Sequence, residues 1–169
     1  MEIVTNTSPL IFLAKLNRLT LLNEIYSEIY APAEVITEAL SGLQKGYADA
    51  LQIKLLIEQG KIKSKDVPNT NLPLGLIGLH RGEIAVITLA KQLKIDTVLV
   101  DDYAAIKSAR YMGLKPMSTP FLLLLALKSK KCSFNDFESD MNRLVDFGYW
   151  LSPTLYKKFL DKARDLSKD

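Results

Sequence analysis

Apolar positions fall into two alternating patterns along the chain, short unbroken runs and longer segments with near-helical spacing. The first run predicts a strand over 2–5, and Ser8-Pro9 reads as a helix start, with the serine hydroxyl as N-cap and proline at the first helical position. Leu10, Leu13, Ala14 and Leu16 then recur at helical spacing, and Leu19, Leu21, Leu22 and Ile25 continue an apolar face after Arg18. Ile29-Tyr30-Ala31 predicts a second strand closed by Pro32, followed by a helix over 33–40 that Gly42 ends. Beyond it the pattern predicts a helix over 47–59, a stop at Gly60 and a strand over 61–65. A loop follows, marked by Pro68, Asn69, Asn71, Pro73, Gly75 and Gly78. The clearest helix is 82–93, leading to a buried strand over 97–100. Asp101-Asp102 ends that strand and opens a helix over 103–112, which Gly113 stops before a last short strand near 114–117. The remainder, 119–168, reads as three helical pieces, the later two starting near Ser133 and Ser152-Pro153.

Strands alternating with helices imply right-handed βαβ crossovers and a mainly parallel sheet covered on both faces, so the expected fold is a three-layer α/β/α sandwich. A length of 169 residues with 48% apolar content suits one domain over 1–169, an α/β core at 1–118 carrying a helical tail at 119–169. The single cysteine, Cys132, forms no intramolecular disulfide, which favours a reducing, cytoplasmic setting. The N-terminal stretch lacks a basic segment and is interrupted by Lys15, unlike a signal peptide. The longest apolar run, 121–127, is far short of the roughly 20 residues that span a bilayer, so no membrane segment is expected. That run is nonetheless more apolar than a surface helix, and predicts burial by the core or by a partner, with a homodimer the favoured form. Net charge is +3, which permits RNA binding without requiring it. Lys61, Lys63 and Lys65 read either as an RNA-binding stripe or as a solvated strand face. Lys128, Lys130 and Lys131 suit a helix C-terminus equally well.

Four patches carry candidate chemistry: Asn6-Thr7-Ser8-Pro9 after the first strand, Glu38 on a helix, Arg81-Gly82-Glu83 opening a helix, and Asp101-Asp102 after a later strand. Each has a plain structural reading. The aspartates cap a helix, Glu83 suits the first helical turn, Glu38 is solvated beside Glu34, and Asn6 is a turn residue. Together they have another reading, because ligands of open parallel sheets bind beyond the carboxyl ends of strands. Oxygen ligands gathered there suit a hard cation such as Mg²⁺ or Mn²⁺, which takes one or two carboxylates and keeps positions for a phosphate. His80 adjoins this group. Arg81, Lys107 and Arg110 are candidate phosphate contacts.

The order of these motifs resembles the PIN-domain family. The residues that carry the likeness are Ile3 to Ile11, Tyr30-Ala31-Pro32 with Val35 and Glu38, His80-Arg81-Gly82-Glu83 with Ala85, and Val98-Leu99-Val100-Asp101-Asp102 with Ala104 and Ala105. Asn-Thr-Ser-Pro-Leu as a first motif is similar to one branch of that family, and Phe147-Gly148-Tyr149 through Ser152-Pro153 and Tyr156 resembles the same branch's tail. The resemblance implies a metal-dependent ribonuclease like the VapC-type toxins of toxin–antitoxin pairs. Mg²⁺ or Mn²⁺ would be the cofactor, RNA the substrate and an antitoxin protein a possible partner. By position it implies Asn6, Glu38, Glu83, Asp101 and Asp102 as the metal set. The acids of that set would be catalytic, and Ser8 would be a supporting hydroxyl. Asn6 departs from the family's first-strand aspartate, and its missing charge keeps a second reading in view: a catalytically weakened protein that binds RNA or an antitoxin. A phosphoacceptor receiver places its acid pair after the first strand, whereas here the pair follows the penultimate one. A dinucleotide-binding fold would need a glycine-rich turn after the first strand, where this chain has Asn6-Thr7.

Overall fold

The computed structural model describes residues 1–68 and 78–168. The expected loop lies mostly outside the described residues. Two compact units make up the chain, residues 1–118 and 119–169. The first contains β1 (Glu2–Thr5), α1 (Thr7–Lys15), α2 (Thr20–Ile25), β2 (Glu28–Pro32), α3 (Ala33–Leu40), a 3₁₀ turn (Ser41–Lys45), α4 (Ala48–Glu58), β3 (Lys63–Lys65), α5 (Arg81–Leu93), β4 (Thr97–Leu99), α6 (Tyr103–Tyr111) and β5 (Lys115–Met117).

The five strands form one all-parallel sheet in the order β3-β2-β1-β4-β5, as the α/β/α reading requires. A parallel sheet is covered on both faces, and its central strands are correspondingly apolar throughout: Ile3, Val4, Val98 and Leu99 are wholly buried. Connections from β1 to β2 to β3 step in one direction, and those through α5 and α6 step in the other. Right-handed crossovers therefore put α1 to α4 over one face and α5 and α6 over the opposite one. The direction reverses between β1 and β4. At such a switch point the chain leaves two adjacent strands toward opposite faces and opens a crevice at their carboxyl ends.

Local chemistry accounts for most boundaries, and for four departures from expectation. The first helix starts at Thr7, with Asn6 rather than Ser8 in the cap position, because sheet pairing runs on to the Asn6 N–H, which donates to Leu99 O at 3.0 Å. Helix α3 spans Ala33–Leu40 as expected, but Gly42 is not the stop, because the chain tightens past Leu40 into the 3₁₀ turn, which ends at Gly46 with φ 72°. Strand β3 is shorter than 61–65, since the N–H groups of Lys61 and Ile62 both bond back to Leu56 O and finish α4. Strand β4 ends at Leu99, although the Val100 N–H still donates to Met117 O at 2.9 Å. At the sheet edge, Lys63, Ser64 and Lys65 are all exposed and Lys63 pairs with Glu28 at 2.5 Å. Charged lysines on an edge strand discourage pairing with another chain.

The second unit packs three helices together, α7 (Thr119–Lys128), α8 (Phe134–Asp146) and α9 (Pro153–Leu166). Ser133 caps α8 by accepting from the Asp136 N–H, while Asp136 Oδ2 accepts from the Ser133 N–H. Ser152 caps α9, with Pro153 in the first turn. Within the apolar run of α7, Leu122, Leu123, Leu124, Ala126 and Leu127 are buried by the chain itself, and Phe121 is half exposed. Among the described residues no helix is long and apolar enough to cross a membrane.

Candidate functional site

The candidate residues belong to four elements, the end of β1, α3, α5 and the cap of α6. Asn6 follows β1 directly, and its sheet bond to Leu99 fixes it beside the end of β4. Its side chain is buried, and Oδ1 is a buried side-chain atom for which no hydrogen-bond partner exists among the described residues. Leaving a buried amide oxygen unpaired costs about 1–3 kcal/mol, so the atom marks a place where something positive or protic is wanted.

Gly82, in the first turn of α5, explains how space is kept there. A Cβ at this position would stand 3.4 Å from Asn6 Oδ1, 3.6 Å from Glu38 Oε2 and 3.7 Å from Val35 Cγ2. Glycine thus leaves open the volume that these two oxygens border. Glu38 is exposed on α3, and its Oε2 accepts a 2.7 Å hydrogen bond from Thr7 Oγ1, which turns the carboxylate toward the end of β1. Thr7 is itself buried, so the bond is anchored on a fixed partner.

Glu83 is the buried acid of the group, 7% exposed, one residue beyond the glycine. The His80 N–H donates to its Oε2 at 2.9 Å, holding the carboxylate at the helix N-terminus. Burial raises its pKa above the ordinary carboxylate range. The His80 hydrogen bond opposes that rise, and the negative charges of Asp102 and Glu38 add to it. Glu83 is therefore within electrostatic reach of both Asp102 and Glu38. Asp102 caps α6, where its Oδ1 accepts from the Ala105 N–H at 3.0 Å. Asp101, half-buried, occupies the same turn.

The sequence-derived residues therefore separate into groups. Asn6 Oδ1 and Glu38 Oε2 both lie within 4 Å of where a Gly82 Cβ would stand, and Glu83, next along the helix, feels the charges of Glu38 and Asp102. Ser8 is exposed, and the hydroxyl that meets Glu38 belongs to Thr7, because the helix starts one residue earlier than the Ser8-Pro9 signal suggests. Arg81, Lys107 and Arg110 are exposed, Arg81 opening α5 and the other two on α6. Sequence reasoning placed Thr7 and Gly82 within its patches but gave neither a role. A hydroxyl pair straddling a strand-to-helix turn was a signal for Thr7, but choosing between Thr7 and Ser8 needed the helix register. Nothing local distinguished Gly82 from an ordinary first-turn residue.

Chemically, the set offers an amide oxygen and three carboxylates, all hard donors. Among the described residues no group of three or more His, Cys, Asp or Glu is arranged to hold a metal ion. A magnesium-like ion needs less than that, one or two carboxylates with its remaining positions filled by water and phosphate. By donor type, the buried Asn6 Oδ1, Glu38 Oε2 and the Glu83 carboxylate meet that requirement.

A family model described as a PIN domain, DUF3368, matches residues 2–165. No curated protein and no solved structure matches the chain.

Proposed function

We propose, from the premise that this chain belongs to the PIN-domain family, that its nuclease-type fold works as a divalent-metal-dependent endoribonuclease of the VapC kind, the toxin of a toxin–antitoxin pair. The observation that carries this reading is the buried Asn6 Oδ1, without a hydrogen-bond partner among the described residues, which together with Glu38 Oε2 borders the position that Gly82 leaves without a side chain. Asn6, Glu38, Glu83 and Asp102 would hold Mg²⁺ or Mn²⁺, with Asp101 in the adjoining turn as a further oxygen donor. When bound, such an ion activates water and offsets the charge that builds on a phosphodiester during hydrolysis.

The protein's own residues prepare that chemistry. Thr7 orients Glu38, the His80 N–H steadies Glu83, and the Ala105 N–H steadies Asp102, so Glu83 and the two acids whose charge it feels are each held by a hydrogen bond without the ion. Holding like charges together in this way makes a cation favourable to all of them at once. Exposed Arg81, Lys107 and Arg110 supply positive charge around an acidic centre that would otherwise repel phosphate. Exposed apolar side chains on the helical unit, Phe121 and Trp150 among them, support docking of a second copy or of an antitoxin protein.

Asn6 also favours a second reading, a weakened family member that binds RNA or an antitoxin and cleaves poorly, since an amide attracts a dication less than a carboxylate does. The deciding experiment is cleavage of a dye-quenched RNA in Mn²⁺ or Mg²⁺, with EDTA and Glu83→Gln as controls. The nuclease reading expects cleavage that EDTA abolishes and Glu83→Gln lowers. RNA binding without metal-dependent cleavage would favour the second reading.

A further inference from the structure

Helix α6 leaves the acidic crevice at its cap, Asp102, and presents an unusual outer face. Tyr103 and Tyr111 are 78% and 79% exposed, although tyrosine rings generally bury most of their surface. Lys107 and Arg110 are exposed on the same helix. With about 100° between successive residues, Tyr103, Lys107, Arg110 and Tyr111 fall within an arc of about 100°, while the buried Ala105 and Ala109 lie on the opposite side. The two rings are separated by eight residues, about 12 Å along the axis. No acidic residue occurs between Tyr103 and Tyr111.

We propose that this face is a stacking track for single-stranded RNA, on which Tyr103 and Tyr111 each receive a base while Lys107 and Arg110 hold the phosphates between them. The inference rests on the nuclease reading for its choice of nucleic acid, and it adds residues and a strand preference to it. Aromatic rings interleaved with cations are what an unpaired strand recognises, because every base offers a π-face and every linkage a negative charge. A protein interface would instead call for aliphatic side chains between the rings, and the large exposed apolar side chains of this helix are the two tyrosines alone among the described residues. The track begins one residue after Asp102, so a strand lying along it leads directly to the acids. A duplex keeps its bases stacked on one another and cannot use the rings.

The test is fluorescence anisotropy of a labelled ten-nucleotide single strand in EDTA, with the same sequence annealed into a duplex as competitor. Tyr103→Ala and Tyr111→Ala should each weaken binding roughly ten-fold or more, within the range measured for single base–aromatic stacks. Tyr103→Phe and Tyr111→Phe should bind like the wild type, and Lys107→Ala should lower the slope of log affinity against log salt by about 0.7. The rings are exposed, so folding should be unaffected, and circular dichroism checks this. Unchanged binding in the alanine variants, or a duplex bound as tightly as the single strand, overturns the proposal. So does loss of a dimer in those variants during sedimentation with RNA affinity intact, which would make the face a protein interface. Cleavage in Mn²⁺ is read separately. Stacking-dependent binding without cleavage leaves the track standing and removes the nuclease reading, whereas cleavage indifferent to both alanines does the reverse.

Discussion

Replacing Gly82 with alanine separates stability from function in one step. The position lies in the first turn of α5 and has no left-handed backbone, so alanine suits it conformationally. Such a change stabilises by about 0.4–1 kcal/mol through the unfolded chain, which for a protein of this size raises Tm by about 1–4 °C. The new methyl would rest in ordinary contact with Asn6 Oδ1 and Glu38 Oε2, at 3.4 and 3.6 Å, without forcing either aside. It would, however, fill the methyl-sized space that the two oxygens border and so crowd a cation held by them. A perturbation beside metal ligands typically costs ten- to a hundred-fold in affinity, and we expect Gly82→Ala to weaken Mn²⁺ binding by about ten-fold at least. At a concentration where the wild type gains about 2.7 kcal/mol from bound ion, a ten-fold weaker variant gains about 1.4 kcal/mol. Thermal scans with and without Mn²⁺ would then show a higher Tm in EDTA and about half the metal-dependent rise. Equal Mn²⁺-dependent stabilisation in the two proteins would refute the placement of the ion.

Other side chains yield sharper tests of single contacts. Burial holds the Glu83 pKa above its value in the unfolded chain, so its contribution to stability is present at low pH and is lost as pH rises through the folded value. In EDTA, Glu83→Gln should therefore match the wild type at acid pH and exceed it near neutrality, with parallel Tm profiles between pH 4 and 8 contradicting the assignment. Thr7→Val removes the 2.7 Å bond to Glu38, whose exposed carboxylate can turn to water. Stability should fall by about 1 kcal/mol and Mn²⁺ affinity by about ten-fold, with Thr7→Ser restoring both in denaturant and calorimetric titrations. Burial also pushes the Tyr26 hydroxyl up to about 12, and its hydrogen bond goes to the weak acceptor Met117 Sδ at 3.0 Å. The folded protein thus loses stability as pH climbs from 10 toward 12, and Tyr26→Phe should flatten that alkaline decline in a Tm series.

Much of the architecture was legible because this chain punctuates itself. The short apolar run Val98-Leu99-Val100, bounded by polar residues, suits a strand covered on both sides, and Pro32, Gly60 and Gly113 stand at the turns between elements. The serine caps of α8 and α9 were readable for the same local reason. Strand order was not readable, since β2 and β4 are both short runs with apolar centres and only tertiary pairing decides which lies beside β1 on each side. At the site, acidic residues at strand ends and in first turns were visible as candidates, but each also satisfies a local need. Asp102 does cap its helix, and Glu83 does accept from its own helix start. What no local pattern could reveal is the space at Gly82, which depends on α3 and β1 approaching α5 from distant parts of the chain.

The reading stands or falls on whether the crevice takes a divalent cation through Asn6 and the acids facing it. Isothermal titration with Mn²⁺ on the wild type, Asn6→Asp and Glu83→Gln asks this directly, without reference to RNA or turnover. The expected result is saturable binding in the wild type, tightened by Asn6→Asp, which adds a charged oxygen of nearly the same shape beside the Gly82 space, and weakened by Glu83→Gln, which removes one. Identical isotherms for all three proteins would mean that the acids serve only as caps and surface charges, and would contradict a metal site at the end of β1.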